Sequence, residues 1–448
     1  MLSQESNTII LRSADHLVGS VRNGEQIREL IGNVELLQGN VTLKCDRAIQ
    51  YFLSNRIEVF GNVMVYQDTL FLFCQNASYY GNGRTMVSPS KLRLTDGHLT
   101  LNSNSGRYNA DLKQAEFYGN VSVVDINNTI FSDTLIYLRD SSKLFCYSRV
   151  KVLSQENNIM GYSDTLEYYR ENQLSILTGE PLVLFIDTTK NISSIDSLVS
   201  DTLIIDTNYL QDSNLCPLES SSLTDSNRRG IDPSFAEIDT LFIKGETIIS
   251  DNTKKLLFAK GSVKVFRNEF SLSSNDLTYL VNDSTIIIEG SPVMWYENNQ
   301  LTSDSMTIRL FEKSVKDITA SRNSFLLSPA DSSSERAFNQ MMGDTIYIFF
   351  TKNRIDSSIS EGKAIALYYV MDSAGLSGAY KSTAERIKIE SEKNKVKKVK
   401  TFYGIDDIYY PQGMIVGSEN QYNLSRFKII THRPTRPEFV VSNHSPKR

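Results

Sequence analysis

Along most of this chain apolar and polar residues alternate, and at regular intervals a polar residue interrupts the alternation. In "SDTLIYL", residues 132–138, Leu135 and Tyr137 follow Asp133 at steps of two, and "SDTLEYY" repeats the pattern 31 residues later at Leu166 and Tyr168. A period of two is the signature of a strand with one buried face. Anchored on Asp133, equivalents stand at Asp46, Gln75, Asn104, Asp164, Glu246, Asn275 and Asp304, at successive spacings of 29, 29, 29, 31, 82, 29 and 29. Periods of about 20 to 50 residues mark stacked structural repeats. Two residues after the anchors come Ala48, Ala77, Gly106, Leu135, Leu166, Ile248, Leu277 and Met306. Four after them come Tyr79, Tyr108, Tyr137, Tyr168, Tyr279 and Ile308, with Gln50 and Ser250 as exceptions. Three before them come Leu43, Leu72, Leu101, Ile130, Ile243, Leu272 and Leu301, broken by Gly161. The apolar parity therefore switches at the anchor, as a bulge or bend in mid-strand requires.

Fifteen residues after the anchors stand Gly61, Ser90, Gly119, Ser148, Gly179, Gly261 and Gly290, with Thr319 as the outlier. Between anchor and glycine lie polar stretches such as Ser54-Asn55, Asp140-Ser141-Ser142 and Asn282-Asp283, which read as hairpin tips. The tip falls at the midpoint, so anchor and glycine are expected to face each other across two antiparallel strands. A glycine inside a strand marks a bend or a close backbone approach. The predicted fold is all-β: an elongated stack of bent antiparallel strands, built from two-strand repeats of 29 residues, creased along its length into a V-shaped groove. Gly61, Gly119, Gly179, Gly261 and Gly290 are the expected bends. The inside of the crease is expected to be lined by Leu43, Leu72, Leu101, Ile130, Leu135, Tyr137, Leu166, Tyr168, Ile248, Leu272, Leu277, Tyr279, Met306 and Ile308.

Where the pitch fails, the organisation changes. We expect a repeat block over 13–187, an irregular insertion with a Ser/Asp-rich loop over 188–236, a second block over 237–427 and an extended or disordered tail over 428–448. Pro181 and Pro292, each two residues after a glycine, are expected to mark local bulges.

Composition narrows the function. A net charge of −5 over 448 residues gives no basic footprint for nucleic acid, and no apolar run is long enough to span a bilayer as a helix. The start "MLSQESNTIILRS" has no basic segment followed by an apolar core, so either the protein is cytosolic or its export signal lies upstream of Met1. His16, His98, His432 and His444 are dispersed, and Cys45, Cys74, Cys146 and Cys216 form no paired motif. Cys45 and Cys74 share one register two strands apart, too far for a disulfide. Carboxylates at Asp46, Asp133, Asp164 and Asp304 read as caps of a repeated bulge rather than as catalytic groups. The lysines at 393, 395, 397, 398 and 400 read as a solvated hairpin tip with Glu385, Glu390 and Glu392 nearby. No catalytic, metal or cofactor site is expected, and the chain is not read as an enzyme.

The runs "LIGNVELLQGNVTLKCDRAIQYF", "IEVFGNVMVYQDTLFLFC" and "AEFYGNVSVV" resemble the organic solvent tolerance (OstA-like) family. In each, Gly-Asn-Val follows an apolar strand at the repeat pitch. The resemblance covers most of residues 13–325 and, more loosely, the rest. It implies a β-jellyroll whose creased interior holds the lipid A acyl chains of lipopolysaccharide, the lining residues named above being their contacts. It further implies a periplasmic bridge or component for lipopolysaccharide transport to the outer membrane. Implied partners are other transport proteins that pair by edge strands, and further copies joined end to end. A structural or adhesive β-solenoid without lipid cargo is the alternative; a parallel β-helix would show coils of about 22 to 25 residues rather than symmetric hairpins.

Overall fold

The computed structural model describes residues 8–154, 158–186, 240–312, 314–331, 336–372, 375–392 and 395–440. The insertion expected over 188–236 lies outside the described residues. Strands make up nearly all of the rest, with short helical turns at Gly81–Gly83, Gln412–Ile415, Glu419–Tyr422 and Arg436–Phe439. The chain forms two compact units, the first reaching Gly179 and the second running from residue 240 to Val440 with residues 180–183.

In the first unit successive strands pair antiparallel in chain order: Glu25–Gln38 with Val41–Tyr51, then Arg56–Gln67, then Leu70–Tyr80. After a stretch of half-strands the pattern resumes through Gln114–Val124, Asn128–Leu138, Lys143–Ser154 and Ile159–Tyr169. Every one of these ladders slips register at its middle, as between Phe60 and Val63. There Gly61 (φ +73°) and Asn62 (φ +46°) are both left-handed, and the pair recurs at Gly32-Asn33 and Gly119-Asn120. The pair adds a residue to Arg56–Gln67 at the slip, and on the facing strand Val41–Tyr51 the buried parity changes, Leu43 before the crease and Ala48 after it both being buried. The anchor sits opposite: a Cβ on Gly61 would collide with the Asp46 carboxylate. Asn62 Nδ2 donates to Asp46 Oδ2 at 2.9 Å, and Asn33 Nδ2 does the same to Asp15 Oδ2. At Asp133 the crease is made by Ser148 and Arg149, both left-handed, and the Arg149 guanidinium grips the carboxylate.

The second unit repeats this plan, with left-handed Gly261, Gly290 and Gly362 facing Glu246, Asn275 and Asp344. Asp304 does not meet Thr319. Its partners are Arg322, whose carbonyl accepts from the Asp304 amide at 3.0 Å, and Asn323. Ser305–Phe311 and Ser314–Pro329 form a longer hairpin with a register slip at Arg309/Leu310, which carries the crease three residues further along the chain. Pro181 and Pro292 fall in breaks, between Leu174–Thr178 and Leu182–Ile186 and between Thr285–Glu289 and Val293–Tyr296. Without an amide hydrogen, proline cannot continue the ladder there.

Beyond its last strands, Lys395–Phe402 and Asp406–Pro411, the second unit sends residues 412–440 back across the outside of its own sheet. On Ser314–Pro329, Leu326 continues the inward row of Leu272, Met294 and Leu301, while Phe325 and Leu327 face outward yet are buried. Ile415 and Leu424 cover them, together with Leu367 and Tyr369. Further back along the sheet, Gln300 accepts from the Ile430 amide and donates to the Lys428 carbonyl, both at 2.8 Å. Arg433 donates to Ser271 Oγ and to the Glu297 and Glu269 carbonyls. Phe439 closes the strap against Phe242 and Phe266, at ring separations of 5.9 and 6.0 Å.

Candidate functional site

In each unit the crease divides the sheet into two leaves. In the first unit one leaf ends in the turns at residues 39–40, 68–69, 96–98 and 125–127; the other ends at 52–55, 81–84, 110–113 and 139–142. Between the leaves lies an apolar interior. Leu43, Leu72, Leu101, Ile130, Leu135, Tyr137, Leu166 and Tyr168 all belong to one continuous buried cluster and are between 0 % and 3 % exposed. In the second unit Ile248, Leu272, Leu277, Met306 and Ile308 are equally buried, and Tyr279 is half-buried. Period-two residues from both sides of the crease thus share one inside, because the bulge restores the inward direction after each slip.

The rim of this interior is polar and closed in the first unit. Tyr79 Oη donates to Gln38 Oε1 at 2.7 Å, Tyr108 Oη to Gln67 Oε1 at 2.5 Å and Tyr137 Oη to Asp96 Oδ2 at 2.7 Å. Tyr168 Oη accepts from Asn128 Nδ2 at 3.1 Å. The paired residues are 41, 41, 41 and 40 positions apart, and in every pair they sit at the tips of opposite leaves. A straight 11-residue strand such as Leu70–Tyr80 would span about 36 Å, so these tips meet only because each strand folds at its crease. The glutamine amides complete the closure, Gln38 Nε2 to the Gly81 carbonyl at 3.0 Å and Gln67 Nε2 to that of Ala110 at 3.3 Å.

Arginines reinforce the same rim. Arg84 Nη2 donates to Asn40 Oδ1 at 2.6 Å, Arg139 reaches Asp68 and Thr69 at 3.3 Å, and Arg170 Nη1 meets Asp96 Oδ2 at 3.1 Å. Burial pushes the Tyr79 hydroxyl up to about 12 and raises those of Tyr108, Tyr137 and Tyr168. All four therefore remain neutral donors or acceptors through the physiological range. Burial would raise the Asp96 carboxyl, but the Tyr137 hydroxyl, the His98 and Leu99 amides and Arg170 outweigh it and leave it below the usual carboxylate value. Inside, burial lifts the thiols of Cys45, Cys74 and Cys146 to about 12, 11 and 12, which makes them packing groups rather than nucleophiles.

The four tyrosines are among the positions picked out from the sequence; their partners Gln38, Gln67, Asp96 and Asn128 and the rim arginines are not. A signal was present: Gln38, Gln67, Asp96 and Asp125 follow one another at the 29-residue pitch. In the second unit Tyr296 Oη donates to the Asn353 carbonyl across the leaves, and its ring meets Phe350 edge-on at 5.2 Å. Next to that contact lies a small open cleft, lined by Leu326 and Met341 from one leaf and by Ile355, Ser358, Ile389 and Val396 from the other. Five apolar residues and six serine, asparagine and glutamine residues line it, so its surface is mixed rather than apolar. Among the described residues no His, Cys, Asp and Glu side chains cluster as a metal site would, and no helix is long and apolar enough to cross a membrane.

No curated protein matches the chain. Among solved structures it is similar to LptH, the LptA-homologous periplasmic component of the conserved lipopolysaccharide transport device from Pseudomonas aeruginosa. That match is 12% identical with a TM-score of 0.26, and covers 32% of this chain and 95% of that one. The model of the OstA-like protein family matches residues 6–181, the segment that contains Gly-Asn creases, tyrosine rim and buried cluster alike. Over residues 6–181 this chain is similar to the OstA-like family.

Proposed function

We propose that the chain binds the lipid A acyl chains of lipopolysaccharide between its leaves and serves, in the periplasm, as a bridge or component for carrying lipopolysaccharide to the outer membrane. The observation that carries this reading is the continuous apolar interior between the two leaves of the first unit. The OstA-like family model's match to residues 6–181 supports the cargo and the compartment. The role is binding and transfer rather than catalysis. Acyl chains leaving water gain about 0.8 kcal/mol per buried methylene, so a multi-chain lipid is held firmly by contacts that are individually weak. In the first unit the lining side chains are between 0 % and 3 % exposed, so there cargo enters as the leaves part.

Partners dock at the edges in this reading. The strand His16–Arg22 pairs with Glu25–Gln38, and Leu17, Val18 and Val21 along it are more than half exposed. Such an edge accepts a strand from another transport protein or from a second copy. A photo-reactive amino acid at Ile355 or Val396, irradiated in the protein's own envelope fraction, is expected to yield a lipopolysaccharide adduct. No adduct at either position, with a lipid-free protein by native mass spectrometry, would move the reading to a scaffold or adhesin without lipid cargo.

A further inference from the structure

The rim of the first unit is closed by hydrogen bonds and ion pairs between its two leaves, and among the described residues no disulfide joins them there. Tyr79, Tyr108, Tyr137 and Tyr168 each bind a partner 40 or 41 residues earlier, so each rung carries its own latch. In a stack of near-identical rungs, neighbouring latches can open locally without unfolding the whole. The charges are divided unevenly between the rims. Arg84 keeps Asp111 beside it on its own rim, at 2.8 Å. Arg139 and Arg170 find their carboxylates, Asp68 and Asp96, on the rim opposite. Parting the leaves thus strips both arginines of their counter-charges, and their side chains, only 15% and 14% exposed, then need an anion.

We propose that the rim of the first unit is a lateral gate for an anionic amphiphile: the four tyrosine latches release, the apolar tail enters between the leaves, and Arg139 and Arg170 exchange Asp68 and Asp96 for the anionic headgroup. The choice of amphiphile as ligand class rests on the function proposed above. The gate is a polar border on an apolar interior, and each half of it matches one half of such a ligand. Its arginines also favour anionic over neutral ligands of equal apolar size.

Stopped-flow fluorescence on the full chain tests the gate with two probes of similar ring system, anionic 1-anilinonaphthalene-8-sulfonate and neutral N-phenyl-1-naphthylamine. Removing the hydroxyls in Y79F/Y108F/Y137F/Y168F is expected to speed entry of both probes by about fivefold or more, the scale of a lost hydrogen bond per rung. R139Q/R170Q is expected to weaken the anionic probe about tenfold relative to the neutral one, as charge-assisted contacts require. Unchanged entry rates in the phenylalanine variant overturn the gate, and equal loss of both probes in the glutamine variant overturns the headgroup site. If the fourfold variant fails to fold, Tyr108→Phe and Tyr137→Phe singly read the same rates at one rung each. These probes report the gate whether or not lipopolysaccharide is the natural cargo. The photo-crosslinking experiment at the second unit's cleft fails separately if that cargo is wrong.

Discussion

Gly61 shows at the scale of one residue why the creases are written as they are. Its φ of +73° and the Asp46 carboxylate against its missing Cβ exclude any side chain, whereas Gly19, on the edge strand, has ordinary φ and open space around it. Gly61→Ala is expected to destabilise the protein by about 1–3 kcal/mol, and Gly19→Ala to change little, as urea unfolding midpoints will read. Asp96 makes the matching prediction for pH. Its carboxyl is held below the ordinary value in the folded state, so the stability it contributes is complete above the unfolded pKa near 3.9 and is lost as pH falls through the folded one. Hydrogen exchange at the Tyr137 rung is expected to hold steady down to about pH 4 and to rise below it, and Asp96→Asn to remove that acid step. Leu135 and Tyr137 were legible from the alternation alone, because burial on a strand follows a period of two. Gln38 and Gln67 were not, since a polar residue beside a turn looks the same whether it meets solvent or a tyrosine 41 residues away.

At the scale of the element, the 29-residue hairpin was readable because both of its ends are chemically marked, by an anchor and by a left-handed glycine. Reading lapsed where the chain keeps the crease but changes the length around it. Asp15 with Gly32 and Asp344 with Gly362 are creases at separations of 17 and 18, invisible to a search at 15. Thr319 was the outlier for the same reason, its hairpin being three residues longer. The returning segment 412–440 was illegible in another way: it has no periodicity, and its order comes from side chains of distant strands. Arg433 is its central tie, satisfying the Glu297 and Glu269 carbonyls and Ser271 at once. Arg433→Ala removes all three contacts, one of them to fully buried Ser271, and is expected to cost about 1–3 kcal/mol, seen as faster hydrogen exchange in the strands Phe270–Leu280 and Val293–Tyr296.

For the whole molecule, the repeat settles a class of behaviour that no single residue carries. A stack of rungs ends somewhere, and its terminal rung exposes what every other rung buries. In the first unit that rung is His16–Arg22, all seven residues of which are exposed, with Leu17 set against buried Leu30 and no further strand beyond it among the described residues. Natural edges of this kind are protected by charge, by proline or by a partner, and here the central residues Leu17-Val18-Gly19-Ser20-Val21 are uncharged. A partner is therefore expected, as a second copy or another protein with a matching edge. Replacing Val18 and Val21 by Lys places two charges on the edge at positions 53% and 69% exposed, where folding stability changes by about 0.5 kcal/mol or less. Sedimentation velocity across a concentration series is expected to show reversible association in the native chain and its loss in Val18→Lys/Val21→Lys, with unchanged circular dichroism. If the native chain stays monomeric at every concentration while pull-down from the envelope fraction still recovers a transport protein through this edge, the edge serves a different partner. If neither is seen, the edge is left open and the end-to-end model fails.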